Sequence, residues 1–365
     1  MTKKCEYLIV GSGFYGCTLA HQLHNAGKDV LVVEKRNHIG GNSYTENIEG
    51  IEVHKYGAHL FHTNNEEVWK YLNQFDSFNN YRHRVKANYN GEIYDLPFNM
   101  NTFKQMWGVE TKEDAIRMIQ NQPMEFYCIN NLEEQCLSTV GHDIYQKLIK
   151  GYTEKQWGKD CKYLPPSIIK RIPIRFEFNN DYFDDLYQGV PDHSYTYIME
   201  KMLKEIEVIT DYDFLKHRGE VEYKQLIFTG PIDEYFDYKF GHLEYRSVRF
   251  DTKLLDQEYY QDNSVINYTD RETPFTRIIE HKYFNNLKSE KTLITFEYPV
   301  EGFINNEPYY PINDKRNEAL YKQYKEYSEN FPEITFGGRL GDYKYYNMDE
   351  VIYCALETSK RLLNE

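Results

Sequence analysis

Residues 7–16 read Tyr7-Leu8-Ile9-Val10-Gly11-Ser12-Gly13-Phe14-Tyr15-Gly16, a short apolar run that ends in Gly-x-Gly-x-x-Gly. The run has the composition of a buried strand, and residues 17–23 can continue as a helix. Gly11 suits the tight turn after the strand, Gly13 a close approach of the backbone to a pyrophosphate, and Gly16 close packing of helix on strand. The N–H groups and the dipole at the helix N-terminus favour negative phosphates. The stretch therefore predicts a parallel α/β sheet that binds a dinucleotide.

A second strand and an acidic residue follow at the spacing of a dinucleotide-binding unit. Residues 29–33 form an apolar run that ends at Glu34. This acid comes roughly 20 residues after the glycines, where a carboxylate hydrogen-bonds the ribose 2′-OH of a bound dinucleotide. A glycine turn without a ligand is the alternative for the motif alone, but strand, turn, helix, strand and acid together favour dinucleotide binding.

The segment after Glu34 moves the predicted cofactor from NAD to FAD. It reads Lys35-Arg36-Asn37-His38-Ile39-Gly40-Gly41-Asn42. The pattern Arg-x-x-x-Gly-Gly resembles the second signature of FAD proteins of the glutathione reductase and amine oxidase class. Paired glycines again admit a close approach of the backbone, and Asn42 can hydrogen-bond a phosphate or ribityl oxygen. A simple turn is the alternative.

Composition and charge limit the function classes. The chain has 365 residues, 41% of them hydrophobic, and a net charge of −14. This charge argues against general affinity for nucleic acid or acidic membranes, so an anionic ligand requires local arginines. Six cysteines without a Cys-x-x-Cys pair predict a reduced, cytoplasmic chain. The sequence has no run of about 18 apolar residues, so we expect no membrane span.

Three closely spaced histidines, His54, His59 and His62, raise the question of a metal site. No carboxylate or cysteine falls at ligand spacing, so we predict no metal. A strand or turn that lays His59 and His62 against a flavin fits the sequence better, with ordinary core or surface histidines as the alternative.

The hydrophobic period changes along the chain, which predicts several domains. We predict an α/β fold with a Rossmann-like FAD-binding parallel sheet of the glutathione reductase and amine oxidase class, an inserted helical domain and an antiparallel β-sheet domain. Asn90-Gly91 lies within an alternating stretch and signals a hairpin. The FAD-binding domain is predicted at 1–80, 192–240 and 325–365. The helical domain with a mobile loop is predicted at 99–160, and the sheet domain at 81–98, 161–191 and 241–324.

Several further stretches carry candidate binding residues. Tyr152 and Trp157 lie between glycines and can stack on a base or a sugar face, although an anchoring core Trp is the alternative. Arg171 or Arg175 can form a fork onto a phosphate, unless they are exposed strand arginines. Near the C-terminus, Asn347 is placed to cap a last helix whose dipole would stabilise a reduced, anionic flavin.

Taken together, these motifs resemble the UDP-galactopyranose mutase family over nearly the whole chain. The resemblance rests on Gly11-x-Gly13-x-x-Gly16, Glu34-Lys35-Arg36-x-His38-Ile39-Gly40-Gly41-Asn42, Tyr56-Gly57-x-His59-x-Phe61-His62-Thr63, Leu96-Pro97-Phe98-Asn99, Lys150-Gly151-Tyr152-Thr153-x-Lys155-Gln156-Trp157-Gly158, Lys170-Arg171-x-Pro173-x-Arg175-Phe176, Thr229-Gly230-Pro231, Thr276-Arg277-Ile278-x-Glu280-His281-Lys282, Pro308-Tyr309-Tyr310-Pro311 and Gly338-Arg339-Leu340-Gly341-x-Tyr343-Lys344-Tyr345.

The resemblance implies a homodimeric, cytoplasmic flavoprotein, an isomerase (intramolecular transferase) that interconverts UDP-galactopyranose and UDP-galactofuranose for cell-surface polysaccharide biosynthesis. In that family N5 of the reduced FAD attacks the sugar C1, UDP is the leaving group, and there is no net redox change. Such chemistry needs no Ser/His/Asp triad. It needs residues that hold the diphosphate and a flat, reduced flavin.

The resemblance also assigns residues. Those implied in catalysis are Arg171, Arg277 and His62. Those implied in cofactor binding are Gly11, Gly13, Phe14, Gly16, Glu34, Lys35, Arg36, Gly40, Gly41, Asn42, His59, Leu60, His62, Phe214, Arg339, Tyr346, Asn347, Met348 and Asp349. Those implied in substrate binding are His83, Tyr152, Thr153, Trp157, Arg171, Tyr182, Asn267, Arg277, Tyr310 and Tyr345. Among these, Trp157 is expected on a mobile loop that closes on UDP.

Three positions depart from the family pattern. His83 stands where relatives often have Asn near uracil, and Leu148-Ile149 replaces an aromatic residue seen in some relatives. Asn347 stands where the family usually has Asp beside the flavin. A neutral residue there predicts a less negative flavin reduction potential than an aspartate would give.

Two other function classes compete with the mutase. The first is a flavin oxidoreductase of the amine oxidase type, which usually has a nicotinamide site or an oxygen-accessible flavin. The absence of a second Gly-x-Gly-x-x-Gly weighs against the nicotinamide site. The second is a flavin- or UDP-sugar-binding protein without catalytic activity.

Overall fold

The computed structural model describes residues 3–169, 174–300 and 306–364. The strands, in chain order, are β1 Lys3–Val10, β2 Val30–Val33, β3 Thr45–Ile48, β4 Ile51–His54, β5 Phe61–Thr63, β6 Val85–Tyr89, β7 Glu92–Leu96, β8 Tyr187–Gly189, β9 Glu207–Ile209, β10 Val221–Phe228, β11 Tyr245–Leu255, β12 Val265–Tyr268, β13 Arg277–Glu280, β14 Thr292–Val300, β15 Tyr310–Pro311 and β16 Ile334–Phe336.

The helices alternate with these strands and include several short ones. In chain order they are α1 Phe14–Asn25, α2 Glu66–Leu72, α3 Met100–Trp107, α4 Lys112–Gln120, α5 Leu132–Thr139, α6 Gly141–Ile144, α7 Gly151–Trp157, α8 Tyr195–Met202, α9 Ile232–Tyr235, α10 Lys315–Ser328, α11 Gly338–Gly341 and α12 Met348–Asn364. A π-helix, Tyr145–Lys150, joins α6 to α7.

The chain divides into two compact units. Unit 1 comprises Met1–Asn80, Asp185–Ser247 and Gly302–Glu365, and unit 2 comprises Tyr81–Asp184 and Val248–Glu301. Unit 2 holds α3 to α7 together with the antiparallel strands from β12 to β14. The separation of a helical domain from a sheet domain, with the boundaries given above, stays a prediction.

Unit 1 is built on a parallel sheet of five strands in the order β16-β10-β1-β2-β9. The chain leaves β1 toward β2 and later returns to the other side of β1 with β10, which makes the end of β1 a topological switch point. Open α/β sheets bind ligands in the crevice outside the carboxyl ends of strands at such a point. The predicted Rossmann-like parallel sheet is therefore confirmed.

Two apolar layers cover this sheet. On one side α1, α8 and α12 contribute fully buried residues such as Leu19, Leu23, Ile198 and Ile352. The second layer includes Phe214, Tyr245 and Tyr324. All four residues of β2 are buried, which is why this strand reads as an uninterrupted apolar run.

Unit 2 contains a mixed sheet in which β14, β13, β12, β6 and β7 lie side by side in that order. β6 and β12 are parallel, whereas the other neighbours pair antiparallel. β6 and β7 form the hairpin predicted from Asn90-Gly91, and both turn residues have positive φ, 52° and 91°. Mirror-image hairpin turns of this kind demand such residues.

Within the described ranges, every helix is too short or too polar to cross a membrane.

Candidate functional site

Unit 1 contains a cavity of about 480 Å³ at the carboxyl end of β1. Most of its walls come from six segments that are distant in sequence. They are residues 10–16, 34–36 with 40–43, 212–215, 228–231, 307–308 and 338–340 with Met348 and Val351. The switch point of the sheet thus forms a long cleft bordered by two glycine turns.

The two glycine turns are built for close backbone contact. Gly11 has φ 102°, and a Cβ on Gly16 would lie 2.0 Å from the carbonyl oxygen of Gly11. A Cβ on Gly41 would lie 2.9 Å from the Cα of Gly13, so the turns touch each other. Helix α1 begins at Phe14 without a side-chain cap. Its N-terminus therefore offers backbone N–H groups, and Phe14 itself lines the cavity.

Glu34 is buried at the end of β2, and its carboxylate is hydrogen-bonded to the first glycine turn. Its Oε2 accepts hydrogen bonds from the backbone N of Ser12 at 2.8 Å and from Ser12 Oγ at 2.7 Å. Its Oε1 accepts from the backbone N of Arg36 at 3.0 Å. These three donors hold the carboxylate in place, and the residue lines the cavity where the sequence predicts a ribose contact.

Two basic residues of the cavity, Lys35 and Arg36, are paired with acids. Arg36 Nη2 donates to Asn42 Oδ1 at 3.0 Å and to Glu307 Oε2 at 2.9 Å. Its guanidinium also lies 4.2 Å from the ring centre of Tyr56. Lys35 Nζ lies 3.6 Å from Asp213 Oδ2. The guanidinium of Arg36 is therefore oriented by several partners before an anion arrives.

The C-terminal side of the cavity is formed by Arg339 and the start of α12. Arg339 Nη2 donates to the carbonyl oxygen of Tyr346 at 2.6 Å. The guanidinium lies 5.3 Å and 5.4 Å from the ring centres of Tyr310 and Tyr345, which stack on each other at 5.3 Å. The structure thus gathers four of the predicted residues into one cluster.

Asn347 occupies the capping position before α12, as the sequence indicates. The carbonyl oxygen of Asn347 accepts from Val351 N at 3.1 Å, and Asn347 N donates to Glu350 Oε2 at 2.8 Å. Met348 and Val351 line the cavity. Asp349 Oδ2 accepts from Thr63 Oγ1 at 2.8 Å. The N-terminal turn of a 17-residue helix therefore borders the cavity.

The predicted histidines have different surroundings. His59 lines the cavity, with Nδ1 2.7 Å from the carbonyl oxygen of Gly57. His62, on β5 just after Leu60 and Phe61, has Nδ1 2.7 Å from Asp185 Oδ2. In the described part of the chain, no group of three or more His, Cys, Asp or Glu side chains is arranged for a metal ion.

Phe214 is buried and lines the cavity, as do its neighbours Tyr212 and Leu215. Lys35 and Glu234 line the same cavity. An aromatic ring and aliphatic groups at this place suit a flat, largely apolar ligand group.

In unit 2, strand register places Asn267, Arg277 and Glu297 in one row across the sheet. Arg277 Nε donates to Glu297 Oε2 at 2.7 Å, and Glu297 is buried. Asn267 Oδ1 is buried and finds no hydrogen-bond donor among the described residues. A buried acceptor without a donor is costly, so this amide suits a ligand that brings an O–H or N–H group.

Other predicted substrate residues of unit 2 form two further groups. His83 and Tyr182 lie together, because Tyr182 N donates to the carbonyl oxygen of His83 at 2.7 Å and their rings are 5.6 Å apart. Tyr152, Thr153 and Trp157 are all on α7. Trp157 is the last residue of that helix and is followed by Gly158 at φ 61°, so the structure places it on a helix end and not in a loop. Arg171 lies outside the described residues.

Some residues of these clusters were not predicted from the sequence. Glu307, Asp185 and Glu297 hold Arg36, His62 and Arg277 in place, and each is far from its partner in the chain. A strand register derived from the alternation in β13 and β14 would have found Glu297. No local signal marks Glu307 or Asp185.

Comparisons with known proteins add two family matches. The model of the UDP-galactopyranose mutase family matches residues 147–345. A model described as an NAD(P)-binding Rossmann-like domain matches residues 9–75, the region of the two glycine turns.

Relatives and a solved structure match nearly the whole chain. A probable UDP-galactopyranose mutase of Klebsiella pneumoniae is 38% identical over 98% of this chain and 94% of its own length. A dTDP-fucopyranose mutase of Escherichia coli is 36% identical over 97% of both chains. The crystal structure of a reduced UDP-galactopyranose mutase aligns with a TM-score of 0.76 at 15% identity, covering 99% of this chain and 94% of that one, which shows a common fold.

Proposed function

The chain belongs to the UDP-galactopyranose mutase family, and we propose that it is an FAD-dependent isomerase that interconverts UDP-galactopyranose and UDP-galactofuranose. The observation that carries the proposal is the cavity of unit 1, which joins two touching glycine turns to the first turn of α12. It occurs in a chain that is similar to a mutase over almost its full length.

The residues of the cavity fit FAD. Glu34 is held by three donors where the adenosine ribose would bind. A Cβ at Gly16 or Gly41 would clash with the backbone of the glycine turns. The uncapped N-terminus of α1 and the oriented guanidinium of Arg36 suit the pyrophosphate. Phe214 would border the adenine, and His59, Arg339 and the start of α12 would border the isoalloxazine. Leu60, His62, Tyr346, Asn347 and Asp349 stay predicted contacts.

When bound in its reduced form, the flavin supplies the nucleophile that attacks the sugar C1, without net oxidation or reduction. The chain must therefore stabilise negative charge on the reduced ring system. The N-terminal turn of α12 would do this through its dipole and its backbone N–H groups. Arg339 is a second source of positive charge, and its two tyrosine neighbours hold its guanidinium in place.

Unit 2 supplies residues for the UDP part of the substrate. We propose that Arg277, together with Arg171, binds the diphosphate, which leaves the sugar as UDP. A unit-charge contact at about 4 Å is worth roughly 4 kcal/mol at an effective dielectric constant of about 20. Asn267 lies beside Arg277 in the sheet and would accept a hydrogen bond from a ligand hydroxyl.

The remaining substrate contacts follow the same assignment. Tyr152 would stack on the base, with Thr153, Trp157 and His83 near the nucleotide. Tyr182, Tyr310 and Tyr345 would donate their hydroxyl groups to phosphate oxygens. The proposal includes a homodimeric, cytoplasmic enzyme that supplies galactofuranose for cell-surface polysaccharides.

A second candidate substrate is dTDP-fucopyranose. The relative from Escherichia coli that carries this name is 36% identical, close to the 38% of the relative from Klebsiella pneumoniae. The two substrates differ in a methyl group on the base, in the 2′-hydroxyl of the nucleoside and in the hydroxyl at C6 of the sugar. Ring contraction of either needs the same cofactor and the same diphosphate contacts.

One experiment tests these proposals. Protein reduced with dithionite is incubated with UDP-galactofuranose, and in a second reaction with dTDP-fucopyranose, and the products are separated by anion-exchange chromatography. We expect UDP-galactopyranose from the first reaction and none without dithionite. Conversion of the dTDP-sugar alone would establish the second candidate. Oxidised product with net flavin reduction would favour an oxidoreductase. No conversion of either sugar would contradict the mutase assignment.

A further inference from the structure

Lys155 makes an unusual set of contacts on the helix that carries the predicted base-stacking residues. Its Nζ donates to three backbone carbonyl oxygens, those of Tyr268 at 2.7 Å and of Thr273 and Phe275 at 3.0 Å. An ammonium group has three donors and no acceptor, so all three protons have a partner. The acceptors all lie in or beside residues 269–276, the loop that connects β12 to β13.

The loop whose carbonyl oxygens bind Lys155 connects β12 to β13, the strands that carry Asn267 and Arg277. Asn267 precedes it near the end of β12, and Arg277 follows it as the first residue of β13. Lys155 itself is on α7, where Tyr152 lies three residues before it and Trp157 two residues after it. One side chain therefore joins the helix predicted to hold the base to the hairpin predicted to hold the diphosphate.

Independent contacts hold the same two segments together. A Cβ on Gly151 would lie 2.4 Å from the carbonyl oxygen of Thr269, so the start of α7 is in direct backbone contact with the loop. Thr269 Oγ1 donates to the carbonyl oxygen of Lys147 at 2.7 Å. The buried Glu154 lies 3.4 Å from Arg271 Nη1. Three residues of α7, Gly151, Glu154 and Lys155, therefore contact the loop.

Burial of the Lys155 ammonium group carries a desolvation cost. Burial lowers its pKa to about 8, although the nearby charges of Asp270 and Glu272 act in the opposite direction. At neutral pH the ammonium form still predominates and keeps all three hydrogen bonds. A methionine at this position would have a similar length and would avoid this desolvation, but it would leave three carbonyl oxygens without their donor.

We propose that Lys155 is a positioning residue that holds α7 and the β12–β13 loop as one body, so that Tyr152, Trp157 and Arg277 keep their mutual geometry for the nucleoside diphosphate. This inference rests on the proposed function, because it takes UDP as the ligand of these residues. It differs from the assignment of a mobile loop, since α7 moves only together with the loop that precedes Arg277.

The test is the affinity for UDP of the FAD-loaded Lys155→Met variant, measured by isothermal titration calorimetry. We expect the Kd for UDP to rise by roughly tenfold to a hundredfold, since small displacements of binding groups have effects of this size. We expect KM for the nucleotide sugar to rise with it more than kcat falls. Lys159→Met is the matched control, because Lys159 is an exposed lysine four residues further on.

Bound FAD reports on the folding of unit 1, and rescue by arginine at position 155 reports on the local contacts in unit 2. Lys155→Met should keep the FAD content of the wild type, and Lys155→Arg should restore part of the UDP affinity. If Lys155→Met does not fold, Gly151→Ala replaces it, since the added methyl group would push α7 away from the loop while Lys155 stays.

The outcomes for the two proposals are distinct. A wild-type protein that neither binds UDP nor converts a nucleotide sugar would contradict the proposed function. A wild type that binds UDP, with Lys155→Met or Gly151→Ala within about twofold of its Kd, would overturn the role of Lys155.

Discussion

Arg277 shows how a neighbouring acid orients a single guanidinium group. Its Nε is bound to Glu297, which in turn accepts from Thr276 Oγ1 at 3.3 Å. This pair fixes the plane of the guanidinium before a ligand binds, and fixed donors lose less entropy on binding than free ones. The same principle applies to Arg36, whose partners are Asn42, Glu307 and the ring of Tyr56.

Replacing Arg277 by Met should weaken UDP binding by at least about 30-fold, since truncating one member of a hydrogen-bonded charge pair costs about 2–5 kcal/mol. Calorimetric titration of the FAD-loaded variant with UDP measures this. Arg249→Met is the control, because Arg249 is an exposed arginine of the same unit that packs on Tyr298. Equal UDP affinity in the Arg277 variant and the wild type would remove Arg277 from the site.

Asn347→Asp should make the flavin reduction potential more negative than that of the wild type. A carboxylate at the capping position would repel the anionic reduced flavin, with an effect of the order of 1 kcal/mol. A redox titration of the bound flavin measures the shift. Asn364→Asp, at the far end of the same helix, should leave the potential unchanged. A shift of zero or of opposite sign for Asn347→Asp would contradict the prediction.

At the scale of elements, the glycine turns decide how closely β1, α1 and residues 40–43 approach each other. Their contact distances leave no room for a methyl group at Gly16 or Gly41. A cofactor pyrophosphate needs this closeness, because only then do the backbone N–H groups of both turns face the same ligand.

Gly16→Ala should therefore lose most of the bound FAD, because its methyl group would lie 2.0 Å from the Gly11 carbonyl oxygen and force α1 away from β1. Flavin absorbance per protein after purification measures the loss. Gly27→Ala is a matched control at the other end of α1. Gly27 also has positive φ, 77°, but its Cβ would meet nothing within 4 Å, so we expect a strain of about 1 kcal/mol with FAD retained. Full FAD content in Gly16→Ala would contradict the proposed role of this turn.

At the scale of the whole molecule, buried ionisable groups connect stability to pH. His281 in unit 2 is fully enclosed, and its Nε2 lies 2.7 Å from Thr295 Oγ1. Burial lowers its pKa from 6.5 to about 3. Between these two pH values the unfolded chain binds a proton at His281 that the folded chain does not bind.

The free energy of unfolding should therefore fall as the pH drops below about 6.5, by up to about 1.4 kcal/mol per pH unit from this residue. Urea unfolding of the wild type and of His281→Gln between pH 7 and pH 4 measures the difference in slope. His142→Gln, which replaces an exposed histidine of the same unit, is the control. If the free energy of unfolding of His281→Gln depended on pH as steeply as that of the wild type, His281 would titrate normally in the folded protein.

Much of the fold could be predicted from the sequence, because its signals are local. The apolar run from Tyr7 to Val10, the glycines after it and Glu34 identify a parallel sheet with a dinucleotide turn. Asn90-Gly91 identifies a hairpin, since few residues tolerate positive φ. Asn347 marks the start of α12, because a capping residue acts on the first turn that follows it.

These local signals specify the elements themselves, together with the arginines and tyrosines that belong to the family motifs. The residues that orient those side chains depend on long-range packing. Glu307 reaches Arg36, Asp185 reaches His62 and Lys155 reaches the loop before Arg277 across more than 100 positions of the chain. A hydrogen bond depends on distances of about 3 Å, and over such separations only the packing of sheets and helices brings donor and acceptor together.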